Sequence, residues 1–141
     1  MQNFEPKEFR EWHNQMSPRL LTLMDVLRFT LDQKIIISPH KDALGRRLGP
    51  TSQSCHNVDV WGEVLACDFF VPWAQDETQV RHVYCVMRDL GFTGIGVYAD
   101  TKPPVMFHGD VRPTEKMGQP ATWGRVAGKY VSINEAIGAL P

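Results

Sequence analysis

Two apolar rhythms run through this chain, and their order restricts the folds open to it. Leu20, Leu23, Met24, Leu27 and Leu31 recur at three- and four-residue intervals, the period of one helix face. Ser17-Pro18 ahead of them supplies an N-cap and a first-turn proline. A second helical stretch, Asp76 to Leu90, carries Val80, Val83, Tyr84, Met87 and Leu90 on its inner face and stops at Gly91. Around these lie shorter runs that read as strands: Lys34 to Ser38, Glu63 to Val71, Gly94 to Tyr98, Met106 to Arg112 and Lys129 to Ile133. The three isoleucines of the first predict a buried strand. Lys7 to Gln15 predicts a short helix after Pro6, and Asn134 to Leu140 a terminal helical turn. Pro39 to Gln53, with two prolines and two glycines, reads as a long loop, and such loops are usually functional or mobile. Helices, strand, strand, helix, then strands with short links predict an α+β fold. Its central sheet is expected to be largely antiparallel with flanking helices, not doubly wound and parallel.

A chain of 141 residues with 43% apolar and 22% charged residues can bury a core of its own, and one domain spanning residues 1–141 is expected. The net charge is −1, and Arg46-Arg47 is the only adjacent basic pair, which argues against an electrostatic nucleic-acid binder. No apolar run approaches the ~18–20 residues of a membrane span. The N-terminus lacks the basic-then-apolar layout of a signal peptide, so synthesis and folding in a cytoplasm are expected. Cys55, Cys67 and Cys85 form an odd set without paired spacing, which fits reduced thiols.

Chemistry concentrates in two separated segments, Ser54-Cys55-His56 through Ala66-Cys67-Asp68, and His108-Gly109-Asp110-Val111-Arg112. Side chains alternate faces along a strand. Asp68 therefore points opposite to Cys67, and His108, Asp110 and Arg112 share a face. His56, Asp68 and His108 can thus turn toward one point while Cys55 and Cys67 face away. Two imidazoles and a carboxylate suit catalytic zinc, which keeps a fourth position open for water. Asp110 is the first candidate for a general base. Arg112, Arg46 and Arg47 are candidates for holding a substrate carboxylate or an oxyanion.

Other readings of these residues stand beside that one. Cys55, His56 and Cys67 can form a structural zinc site through thiolates, although strand alternation argues against it. Cys55 as a nucleophile beside His56 is disfavoured, because adjacent strand residues point to opposite faces. His13, His40 and His82 read as surface or loop residues. Trp12, Trp61, Trp73 and Trp123 read as core or rim aromatics, with Trp61 able to line a cleft.

The two segments resemble the zinc D-alanyl-D-alanine carboxypeptidase and phage endolysin peptidase family, whose fold is shared with the hedgehog signalling domain. The resemblance rests on Ser54 and His56, Ala66 and Asp68, and His108 within Phe107 to Arg112, preceded by Gly94-Ile95-Gly96-Val97-Tyr98. It implies zinc held by His56, Asp68 and His108, with Ser54, Arg46 and Arg112 expected to contact substrate. The implied substrate is the peptide part of bacterial peptidoglycan, cut beside a D-amino acid by a phage or prophage enzyme. Such an enzyme would need a partner pore or a virion to reach the wall.

The departures are specific. The family separates its first histidine and aspartate by seven positions, whereas His56 and Asp68 are twelve apart, so Asn57 to Leu65 must contain an insertion. Glu63 sits at the seven-residue spacing and is the rival ligand. Where many members carry an acidic base, three before the last histidine, this chain has Val105, and the Ser-Gly-Tyr-Arg stretch is missing after Ser38. Zinc binding without catalysis, in a structural or virion-assembly domain, is therefore the second expectation. A metal-free binding module is the third.

Overall fold

The computed structural model describes residues 1–113 and 120–141. A 3₁₀ segment, Pro6–Gln15, opens the chain and is kinked at Arg10, whose φ is 54°. The expected regular helix is interrupted there, and the Arg10 guanidinium bonds the carbonyls of Ser38 and His40. Helix α1, Pro18–Leu31, follows Ser17 and buries Leu20, Met24, Leu27 and Leu31, the spacing of one face. Helix α3, Glu77–Leu90, starts in a capping box made by Asp76 and Gln79 and buries Val80, Val83 and Met87. It ends at Gly91, whose φ of 100° suits glycine. Strand β1 is Ile36–Ile37, helix α2 is Val58–Trp61 and strand β2 is Ala66–Phe70. Then come β3 Gly94–Tyr98, β4 Met106–Asp110, β5 Ala121–Val126, β6 Lys129–Val131 and helix α4 Ile133–Gly138.

Among the described residues the six strands form one sheet in the order β1-β2-β4-β3-β5-β6. All pairings are antiparallel except β3 with β5. The fold is therefore α+β with a mostly antiparallel sheet and flanking helices, as the element order predicts. The isoleucine run departs from expectation. Only Ile36–Ile37 pairs, at the sheet edge, and Ile36 is exposed while Ile35 and Ile37 are buried. An edge strand has a neighbour on one side alone and is commonly short.

Register decides what each face carries. Cys67, Phe69, Ile95, Val97 and Phe107 are fully buried on one face, and Phe69 stacks on Phe107 with centroids 5.7 Å apart. Gly109 lies on this face where a Cβ would strike Phe92 and Met87, so α3 and its following turn pack closely here. On the opposite face one row across four strands reads Asp68, His108, Gly96, Trp123. The next reads Ala66, Asp110, Gly94, Ala121. Segment 43–57 runs along the outer edge of β2, where Ala43 accepts the Asp68 amide and Cys55 accepts the Leu65 amide. No helix among the described residues is long and apolar enough to cross a membrane.

Candidate metal centre

Two adjacent strands and one loop residue build the centre. β2 and β4 place Asp68 directly opposite His108, and His108 Nδ1 lies 2.9 Å from Asp68 Oδ1. His56 arrives from the end of the long loop, just before α2, which Asn57 caps by accepting the Asp59 amide. Its Nδ1 donates to the Leu44 carbonyl at 2.5 Å, which leaves Nε2 3.5 Å from Asp68 Oδ1. The imidazoles stand edge to face, with centroids 5.2 Å apart. His56, Asp68 and His108 keep only 3, 7 and 6% of their accessible surface, so their polar atoms must be satisfied within the protein or by a bound ion.

The hydrogen bonds behind the rings fix which atoms face forward. A backbone carbonyl behind His56 requires N–H at Nδ1, so its Nε2 lone pair points at Asp68. His108 Nε2 sits 2.8 Å from Asp110 Oδ2 and Nδ1 2.9 Å from Asp68 Oδ1. Carboxylates only accept, so Asp110 holds a proton on Nε2, and at Nδ1 either a proton or a cation shared with Asp68 meets the second carboxylate. Two imidazole nitrogens and one carboxylate oxygen therefore converge, with one ligand atom from each residue within 4.8 Å of the others. That is a donor set for a cation. Asp68 Oδ2 faces Arg46 Nη2 at 3.6 Å, which leaves Oδ1 as the ligand atom.

Titration follows this arrangement. Burial alone would raise the Asp68 pKa, but hydrogen bonds and charge from His108 and His56 outweigh it and hold the carboxyl well below its usual range. Burial would lower the His108 pKa, and Asp110 with Asp68 outweigh that and raise it. The same positive charge that this pocket draws to Nδ1 as a proton can be supplied by a metal ion.

A cavity of about 420 Å³ opens over the centre, lined in part by Arg46, Ser54, Tyr98, Arg112, Trp123 and Tyr130. Arg46, Ser54 and Arg112 thus reach the cavity, and Arg47 instead pairs with Asp59 at 3.2 Å. Glu63 is outside the ligand cluster, as are Cys55 and Cys67; Cys67 faces away as expected, whereas Cys55, expected to face away too, lines the cavity. Burial pushes the Cys55 thiol up to about 11, with the Asp110 charge adding to it. A thiolate nucleophile is disfavoured at such a position. Asp110 has no exposed surface. Its carboxylate is enclosed by His108 and by the Arg112 guanidinium, Nε at 2.9 Å and Nη2 at 2.6 Å, and it does not line the cavity.

Sequence reasoning overlooked Tyr98 as a site residue and treated Trp123 as a generic aromatic. Trp123 packs 4.9 Å from the His108 ring and donates from Nε1 to the Tyr98 hydroxyl at 2.8 Å. The signal was the Gly-x-Gly-x-Tyr alternation of β3. Gly96 faces the site, and a Cβ there would lie 2.6 Å from Trp123 Nε1, so glycine makes room for the indole. Trp61 packs elsewhere, donating to the Ser54 carbonyl. The chain gives no match to protein-family models, to curated proteins or to solved structures.

Proposed function

We propose that residues 1–141 form one zinc peptidase domain acting on the peptide part of bacterial peptidoglycan, at a bond beside a D-amino acid. The observation that carries the metal part is the convergence of His56 Nε2, Asp68 Oδ1 and His108 Nδ1, each aimed by a partner behind it. Three protein ligands beneath an open cavity are the arrangement of catalytic zinc sites. Zinc bound there supplies a Lewis acid and a water of lowered pKa.

The chain's own residues do the rest. Arg46 offers the cavity a cation suited to a peptide carboxylate. Ser54 offers a hydroxyl on the same wall. The Trp123 indole can only donate, so it takes the Tyr98 oxygen as acceptor and leaves the phenolic hydrogen for an oxygen in the cavity. The cavity is of a size that takes a short peptide. The peptidoglycan assignment, and phage or prophage origin with action at the cell wall, rest on the resemblance of Ser54 to Asp68 and of Phe107 to Arg112 to that peptidase family.

One observation favours a second reading, a domain that holds zinc for a structural or virion-assembly purpose without turnover. Among the described residues Asp68 is the only carboxylate lining the cavity, and Asp110 is enclosed, so no free carboxylate base is at hand. Elemental analysis of wild type and His108→Ala, followed by assay on peptidoglycan fragments, separates the readings. Stoichiometric zinc, lost in the variant, with cleavage supports the peptidase. Zinc without cleavage supports the second reading, and no zinc after reconstitution removes both.

A further inference from the structure

The ring nitrogens of His108 face different carboxylates. Nδ1 addresses Asp68 in the ligand cluster, and Nε2 addresses Asp110. Asp110 belongs to a His-x-Asp-x-Arg alternation, so His108, Asp110 and Arg112 share a side of the chain. Its carboxylate accepts from His108 Nε2 on one oxygen, from the Arg112 amide at 3.1 Å on the other, and from the guanidinium on both. A carboxylate has about four lone-pair sites, and these contacts fill them. A general base needs a free lone pair within reach of substrate or water, and Asp110 has neither.

The fold also contains a cradle for this carboxylate. Gly94 lies opposite Asp110 in the β3–β4 register, and a Cβ at Gly94 would overlap both carboxylate oxygens and the carbon between them. Gly94 is not among the residues of positive φ, so it is the missing side chain that matters here. A buried ion pair is weak evidence for stability, since desolvation offsets much of its attraction. A glycine that yields its space to such a pair, directly behind a metal-facing ring, indicates orientation.

We propose that Asp110, gripped by Arg112 in the space left by Gly94, is the positioning residue of the metal centre. It holds His108 in the Nε2–H tautomer with Nδ1 presented to the metal. Arg112 serves this grip through Nε and Nη2, which leaves Arg46, beside Asp68 and held by the Asp42 carbonyl, as the other cation that the cavity offers substrate. The inference rests on the metal reading above and is independent of which bond, if any, is cleaved. Partners behind a ligating histidine typically govern metal affinity by 10–100-fold.

The test is zinc titration of chelator-stripped protein against a competing chelator, for wild type, Asp110→Asn, Gly94→Ala and Arg112→Lys, with circular dichroism of each metal-free form. Asp110→Asn and Gly94→Ala should bind zinc about 10–100-fold more weakly, and Arg112→Lys, which keeps the charge but loses the fork, several-fold more weakly. Nitrogen-15 spectra of zinc-loaded wild type should show His108 bound through Nδ1 with a proton on Nε2, and Asp110→Asn should lose that pattern. A merely structural role would not move this signature. Should Asp110→Asn fail to fold, Gly94→Ala decides, because it removes no polar group. Folded variants that bind zinc as tightly as wild type, or His108 bound through Nε2, would overturn the proposal. Wild type that binds no zinc would overturn the metal reading and this inference together.

Discussion

The two faces of strands β2, β3 and β4 are both buried, yet they are built on opposite rules. One face carries Phe69, Phe107, Ile95 and Val97 under α3, a core that removes apolar area from water and depends on shape. The other carries Asp68, His108 and Asp110, with Gly94 and Gly96 yielding space to a carboxylate and an indole. There each polar atom has a named partner, and the loss of one partner matters more than the loss of volume. An uninterrupted burial pattern along β2 therefore conceals a change of material every second residue. The helix-side face supplies the apolar core, and the site-side face carries the donor set for a cation.

Mutations should divide along that line. The largest effect is expected from His108→Ala, which removes a ligand: zinc content should drop from one equivalent to near zero while the metal-free fold survives, as elemental analysis and circular dichroism would report. Loss of folding in place of metal would break the contrast. Next, Phe107→Ala on the helix side should destabilise by about 3–5 kcal/mol, lowering Tm by about 10 °C or more, while the surviving folded fraction still binds zinc with wild-type affinity. Tyr98→Phe is expected to leave zinc content and Tm near wild type and to cut kcat on peptidoglycan peptides by about 10-fold or more, with KM little changed, if the phenolic hydrogen meets developing charge.

A pH series sharpens the comparison further. In the metal-free protein Asp110 and Asp68, against burial's opposite pull, raise the His108 pKa above its ordinary 6.5. The stability this contributes is complete below the unfolded value and is lost as pH rises through the raised folded value. Metal must displace the same proton, so the gain in Tm on adding zinc should grow across that window, measured by thermal melts with and without zinc. A gain that shrinks with rising pH would contradict the arrangement of donors. The smallest effect lies away from both faces. Asp25 on α1 accepts the amides of Gln2, Asn3 and Phe4. Burial would raise its pKa, but these bonds outweigh that and hold it at about 2 against 3.8. Its contribution is present above 3.8 and lost as pH falls toward 2, and Asp25→Asn should cost on the order of 1 kcal/mol in a denaturant titration.

The sequence made local features readable and long-range ones only in outline. Helices α1 and α3 announce themselves through Leu20 to Leu31 and Val80 to Leu90, because a helix buries one face at a fixed period. His108, Asp110 and Arg112 could be placed on one side from alternation alone. The twelve positions from His56 to Asp68 could only be read as an insertion, and the structure fills them in part with α2, a single turn between Asn57 and Gly62. β5 escaped notice because Ala121–Val126 lacks a β-branched run. It is recruited by parallel pairing with β3, and Trp123 enters the site through a register that no local window contains. The enclosure of Asp110 was hidden in part for the same reason, since Gly94 meets it only through the β3–β4 register, although Arg112 lies two residues away.

X-ray absorption at the zinc edge, on wild type loaded with one equivalent, tests the donor set most directly. Nitrogen and oxygen scatterers at ~2.0–2.1 Å, imidazole features from two histidines and no sulfur are the expected result. Sulfur scattering near ~2.3 Å would instead place Cys55 or Cys67 on the metal and contradict the centre formed by His56, Asp68 and His108.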